Sequence, residues 1–163
     1  MSGSLYKLSQ KVGTLLKEKG FSLAVAESCT GGLFSSSITD IPGSSQYFIL
    51  GVVAYSSVEK EKVLKIPKSV IKRYSAVSPR VCQLMAENVR KIAKADIGLG
   101  ITGYAGPGGG SLKNPVGVVY VSLAFKGKRE TRKYFFKGRR QDIKKKAVRE
   151  ALLRLYKKLK SQK

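Results

Sequence analysis

Short apolar runs of strand length alternate with helical stripes along the whole chain, and that alternation constrains the fold more than any other feature. Residues 4 to 19 place Leu5, Leu8, Val12, Leu15 and Leu16 on one helical stripe, with Gly20 as its stop. Ser22 to Ala26 reads as a short buried strand. Glu27 to Gly32 is a polar, glycine-ended turn into a helix that ends near Asp40, and Pro42-Gly43 then breaks the chain. Tyr47 to Tyr55 is a continuous apolar run rich in valine and aromatic residues, hence a second strand. Val58 to Leu64 reads as a short helix stopped by Ile66-Pro67. Ser78-Pro79 opens the next helix, with serine as N-cap and proline at the first helical position, and Val81, Met85, Val89 and Ile92 continue it. Asp96 to Thr102 is a third strand. Val116 to Phe125 and Arg129 to Phe136 are two more, joined by the turn Lys126-Gly127-Lys128. A closing helix from about Arg140 carries Ile143, Ala147, Ala151, Leu155 and Leu159 on one side.

Helices interleaved with central apolar strands, plus one late hairpin, predict a three-layer α/β/α sandwich with a mixed, mostly central sheet. A single domain over residues 1 to 163 is expected, since a chain of 163 residues buries roughly 70% of its unfolded surface. No apolar run approaches the roughly 20 residues needed to span a bilayer. The opening Met1-Ser-Gly-Ser-Leu-Tyr-Lys7 lacks the layout of a signal peptide. The expectation is a cytoplasmic protein that does not engage membranes. Sheets of this class bind ligands where loops leave strand ends at a switch in strand order. The candidate loops are Glu27 to Gly32, Gly43 to Ser45, Tyr55 to Lys60, and Thr102 to Ser111, where small, polar and glycine residues concentrate.

Composition narrows the chemistry. The chain has no histidine, which removes every Ser-His-Asp or Cys-His site and every histidine-based metal site. A hydrolase built from it must take its general base from Lys, Tyr, Asp or Glu. Two distant cysteines, Cys29 and Cys82, give neither a disulfide framework nor zinc-ligand spacing. The net charge of +22 raises the question of a polyanion. The competing reading is a lysine-rich surface that sets solubility. Tyr134, Phe135 and Phe136 stand among basic residues, as stacking platforms for bases would, yet they also read as a strand.

Familiar phosphate and nucleophile motifs fail here. Gly106-Pro-Gly-Gly-Gly-Ser111 misses the dinucleotide fingerprint at its last position, and Gly127-Lys128 lacks the other residues of a P-loop. Gly43-Ser-Ser-Gln-Tyr47 lacks the final glycine of a nucleophile elbow. Ser-x-x-Lys occurs at Ser57 to Lys60, but also at Ser4 to Lys7 and Ser69 to Lys72, so it carries little alone. The glycines at 106 and 108 to 110 fit either a flexible surface turn or a stiff loop that brings backbone amides to an anion. Cys29 reads as a buried structural thiol, and Glu27 as a strand-end carboxylate capping the helix after it.

Together these segments resemble one family. Ala26-Glu-Ser-Cys-Thr-Gly-Gly32 followed by Asp40-Ile-Pro-Gly-Ser-Ser45 resembles the opening of the CinA C-terminal domain. The likeness continues through Gly51, Tyr55-Ser56, Lys60, Ala76-Val-Ser78, Gly103-Tyr-Ala-Gly-Pro-Gly-Gly-Gly110, Pro115-Val-Gly117 and Phe136-Lys-Gly-Arg-Arg140. Two positions depart from it. Ser57 stands where asparagine is usual, and Arg139 where an acidic residue is expected. The stand-alone members and the C-terminal halves of longer ones are nicotinamide mononucleotide deamidases, whose longer forms add a pyrophosphatase domain that this sequence lacks. The resemblance therefore implies hydrolysis of a linear carboxamide to nicotinic acid mononucleotide and ammonia, with no metal and no cofactor.

The same resemblance implies roles. Ser45 is the first choice of nucleophile, with Ser28 or Thr30 next in line, Lys60 is the base, held neutral by burial or neighbouring cations, and Tyr55 orients or relays the proton. Thr102 hydrogen-bonds the carboxamide. Ser28, Thr30 and Gly31 suit a phosphate or ribose hydroxyl, Gly106 and Gly108 offer backbone to the substrate, and Arg140 grips the 5′-phosphate. Without the resemblance Arg140 reads as one more solvated charge. The expected partner is a small pyridine nucleotide, in a homo-oligomer, a dimer or higher. Nucleic acid is expected to bind only non-specifically. The alternatives are a polyanion-binding module and a nucleotide-binding domain without activity.

Overall fold

The computed structural model describes residues 3 to 162, so Met1, Ser2 and Lys163, with the start of the segment judged above for a signal layout, lie outside it. The elements in chain order are α1 (Gly3–Lys19), β1 (Leu23–Glu27), α2 (Leu33–Thr39), a 3-10 turn (Ser44–Gln46), β2 (Phe48–Val53), α3 (Ser57–Lys62), α4 (Lys68–Tyr74), α5 (Pro79–Ala93), β3 (Ile97–Gly103), β4 (Val118–Phe125), β5 (Lys128–Phe135) and α6 (Arg140–Ser161). The strands form one sheet in the order β2-β1-β3-β4-β5. β1 runs parallel to β2 and β3, and the β3–β4 and β4–β5 pairs are antiparallel. This is the mixed sheet that the pattern predicts. No helix among the described residues is long and apolar enough to cross a membrane.

Alternate residues of the central strands feed two cores. Leu23 and Val25 of β1, with Ile97, Leu99 and Ile101 of β3, pack beside Val12 and Leu16 of α1, Phe34 of α2, and Ala147 and Leu152 of α6. On the other face, Ala24 and Ala26 meet Val81, Met85 and Val89 of α5. That second face is built from small residues for a steric reason. A Cβ added at Gly98 would strike the Ala86 carbonyl, and one at Gly100 would crowd the Cys82 carbonyl and the Ala86 amide. The α5 backbone therefore lies directly on β3. Gly98→Ala is expected to destabilise the fold by about 3 kcal/mol, the upper range for overpacking. The check is a lower urea midpoint at an unchanged m-value.

Several boundaries differ from the sequence reading. α4 and the 3-10 turn were not expected, because neither carries a periodic apolar stripe. No residue of α4 is fully buried. β2 is the edge strand and alternates half-buried with exposed positions, so its apolar run is not enclosed on both sides. β4 starts at Val118, two residues late, since Gly117 (φ 100°) still belongs to the turn that leads into it. The β4–β5 hairpin closes through Lys126 and Gly127, both with positive φ (47° and 75°), as a two-residue primed turn requires. The β1-to-β2 connection lands on one side of β1, and β2 to β3 crosses to the other. The carboxyl ends of these three parallel strands, at Glu27, Val53 and Gly103, thus meet at a reversal of strand order, where a crevice is expected.

Candidate active site

A cleft of about 260 Å³ opens at that reversal, lined by Ser28, Cys29, Tyr55, Ser57, Lys60, Ala76, Val77, Gly103, Tyr104, Ala105, Gly106, Gly108 and Arg140. Ser28 follows β1 directly, and its N–H donates to the Ile101 carbonyl at 2.9 Å, extending the β1–β3 ladder. The turn beyond it is fixed by Glu27. The fully buried Glu27 carboxylate accepts from the Thr30 hydroxyl (2.6 Å), the Phe34 amide (3.0 Å), and the Ser35 amide and hydroxyl (2.9 and 2.7 Å). Helix α2 has Gly32 as its N-cap and no side-chain cap of its own. Glu27 supplies the missing acceptors and the negative charge favoured there. The sequence reading of Glu27 as a capping carboxylate describes what it does.

Lys60 lies on α3, whose first turn is capped by Ser56 through the Glu59 amide (3.1 Å). Only 2% of Lys60 is exposed. Its Nζ is 2.9 Å from Ser28 Oγ, 2.9 Å from the Ala54 carbonyl and 3.5 Å from the Tyr55 carbonyl. Among the described residues no carboxylate pairs with it. Burial therefore lowers its pKa to about 8, slightly opposed by the neighbouring Cys29. A neutral amine has two protons and one lone pair. Both carbonyls can only accept, so they take the two protons and leave the lone pair facing the Ser28 hydroxyl. That is the arrangement of a nucleophile and its base.

The predicted residues fall into four groups. Ser28, Tyr55, Lys60, Gly106, Gly108 and Arg140 come together around the cleft. Thr102 and Thr30 sit behind it, fully buried. The Thr102 hydroxyl donates to the Ala76 carbonyl (3.1 Å), holding the Ala76–Val77 wall, and Thr30 is bound to Glu27. Gly31 lies just outside, beside Lys144. Ser45 belongs elsewhere. It is exposed in the 3-10 turn before β2, whereas Lys60 follows the other end of that strand. Six residues of β2 at about 3.3 Å each separate them by roughly 20 Å. The structure thus brings Ser28, not Ser45, to Lys60. A parallel strand sends its two flanking loops to opposite ends of the sheet.

Tyr55 also behaves differently from expectation. Its ring is 57% exposed, and its hydroxyl accepts from Arg140 Nη2 at 2.6 Å, while only its backbone carbonyl approaches Lys60. Arg140 Nη1 donates to the Gly106 carbonyl, also at 2.6 Å. Arg140 therefore ties the Tyr55 rim to the glycine loop. Gly106 has φ 75°, and a Cβ there would run into Val116, so only glycine fits. The sequence reading missed the Ala76–Val77 wall and Tyr104. It also missed Asn114, which donates to the Val77 carbonyl (3.1 Å) and accepts from the Tyr120 hydroxyl (2.9 Å). The one available signal was an asparagine-proline pair inside a glycine loop.

Both thiols are buried and free. Burial pushes Cys29 up to about 12, and burial pushes Cys82 up as well, with its Sγ bonded to the Gly100 and Tyr120 carbonyls. Among the described residues no group of three His, Cys, Asp or Glu is placed to hold a metal. Tyr134 and Phe136 stack on each other at 5.5 Å and pack against the first core, whereas Phe135 between them is 56% exposed.

Comparison with known proteins agrees with this architecture. The model of the CinA C-terminal domain family matches residues 5–159. A putative competence-damage inducible protein of Moorella thermoacetica is 46% identical over 155 residues, 95% of this chain and 37% of that protein. One from Caldanaerobacter subterraneus is 49% identical over 145 residues, 89% of this chain and 35% of that protein. The chain thus spans little more than a third of the length of these relatives. The solved CinA superfamily protein of Klebsiella pneumoniae superposes with a TM-score of 0.94 at 34% identity, covering 97% of this chain and 99% of that one. The competence/damage inducible protein of Agrobacterium tumefaciens gives 0.94 at 31% identity, covering 99% and 98%. The chain belongs to the CinA C-terminal domain family.

Proposed function

We propose that the cleft hydrolyses the carboxamide of nicotinamide mononucleotide to nicotinic acid mononucleotide and ammonia, with Ser28 as nucleophile and Lys60 as its base. The observation that carries this reading is the 2.9 Å contact between Ser28 Oγ and a buried Lys60 amine whose pKa is lowered to about 8. The substrate comes from the family resemblance. Neutral Lys60 takes the hydroxyl proton as Ser28 Oγ attacks the carboxamide carbon, and the electron pair of the C=O bond moves to oxygen. The tetrahedral intermediate collapses, breaking the C–N bond, and the Lys60 ammonium returns its proton to the departing ammonia. Water then attacks the acyl ester, Lys60 again accepting a proton, and nicotinic acid mononucleotide leaves with Ser28 restored. The loop from Gly103 to Gly108 carries three glycines beside the bulky Tyr104 and so offers peptide groups to the cleft, the kind of wall that suits a developing oxyanion.

The decisive experiment is ammonia release from nicotinamide mononucleotide by the purified protein, with and without EDTA. Stoichiometric ammonia, unaffected by the chelator, is the expected result. Activity abolished by EDTA and restored by added metal would overturn the serine–lysine mechanism.

A further inference from the structure

We infer that Lys144 is the second phosphate-binding cation of this cleft, acting beside Arg140; the inference rests on the nucleotide reading of the site. A 5′-phosphate monoester carries close to two negative charges near neutral pH. Arg140 brings one positive charge to the rim, and its guanidinium is already held at both terminal nitrogens, by the Gly106 carbonyl and the Tyr55 hydroxyl. Its remaining protons can still donate, but only from a fixed position and against half the ligand's charge.

Lys144 stands four residues further along α6, so the two side chains rise from the same face of the helix. Its Nζ is 3.6 Å from the point where a Cβ on Gly31 would stand, which places the ammonium against the turn that carries Ser28. Its charge is also felt by the thiol of Cys29, a residue of the cleft wall. Lys144 is half-buried, yet among the described residues no hydrogen bond or ion pair engages its Nζ. The nearby carboxylates are committed elsewhere. Glu27 is filled by Thr30, Phe34 and Ser35, and Asp142 caps the Arg139 amide. An ammonium without a counter-ion can take up an anion without giving up an existing partner. Gly31, with its φ of 60° and no side chain, puts no bulk between the Lys144 ammonium and the turn at the edge of the cleft.

The test compares nicotinamide mononucleotide with nicotinamide riboside, which lacks the phosphate. Lys144→Ala is expected to raise KM for the mononucleotide about tenfold, the loss typical of one charge-assisted contact, with kcat changed far less. Its effect on kcat/KM for the riboside should be several times smaller, and Lys144→Arg should recover most of the lost affinity. Equal losses on both substrates, or an unchanged KM for the mononucleotide, would overturn the assignment. Calorimetry with inorganic phosphate separates this inference from the reading beneath it. If the wild-type protein releases no ammonia, phosphate binding that weakens in Lys144→Ala upholds the anion site and sinks the amidohydrolase. Phosphate affinity that is absent, or identical in wild type and variant, sinks the site.

Discussion

Replacing Ser28 with alanine is expected to lower kcat for carboxamide hydrolysis about 10⁶-fold, the scale lost when the nucleophile or the base of such a unit is removed. KM should change little, because the hydroxyl contributes to the attack rather than to holding the nucleotide. Lys60→Ala should cost a similar factor, since Ser28 then meets no base. The two residues act as one unit, so the double variant should be scarcely slower than either single one. Multiplied losses would mean that they act independently, and the Ser28–Lys60 contact would then be incidental. Ser45→Ala is the internal comparison. Ser45 lies exposed at the far end of β2 and should leave turnover near wild type. Ammonia-release kinetics on the wild type and the four variants decide the matter.

The second large effect is one of pH. Lys60 serves as base only when neutral, and its pKa is lowered to about 8. Below that value the ammonium dominates, has no lone pair, and cannot take the Ser28 proton. kcat/KM should therefore fall tenfold per unit as pH drops below about 8, reaching roughly 1% of its plateau at pH 6, and level off above pH 9. Lys60→Arg sharpens the test, because a guanidinium keeps its charge and does not deprotonate in this range. That variant should lose about three orders of magnitude with no rising limb. A profile flat between pH 6 and 9 in the wild type, or near-normal turnover in Lys60→Arg, would leave the lysine an electrostatic role only.

Much of the architecture was legible because it depends on local pattern. The strands at 23–27 and 97–103 are short apolar runs, and the α5 opening is announced by Ser78-Pro79, whose hydroxyl accepts from the Val81 amide. The Glu27 cap was legible for the same reason, since a carboxylate at a strand end just before a helix has few other uses. The partner of Lys60 was not. Ser28 opens one polar, glycine-containing turn and Ser45 ends another, and only the direction of β2, which runs from the Ser45 turn toward the loop before Lys60, leaves Ser45 about 20 Å from the cleft. Thr102 and Thr30 were misread because a buried hydroxyl that braces a wall looks, in sequence, like one that meets a ligand. Lys144 was hidden among the cations of α6, and only its position over Gly31 separates it from its neighbours.

The two carbonyls that hold Lys60 have a consequence for how such a site is silenced. With the amine neutral, the hydrogen bond between Ser28 and Lys60 runs from oxygen to nitrogen. When the amine gains a third proton that proton can point only at Ser28, because Ala54 and Tyr55 already hold the other two. The serine hydroxyl must then swing its own hydrogen away and accept. Acidification thus reverses the polarity of one hydrogen bond and leaves the heavy atoms where they stand. The resting and competent forms share one shape and differ in the direction of a single O–H, a difference that infrared or NMR detection of that proton would register and that the outline of the cleft would not.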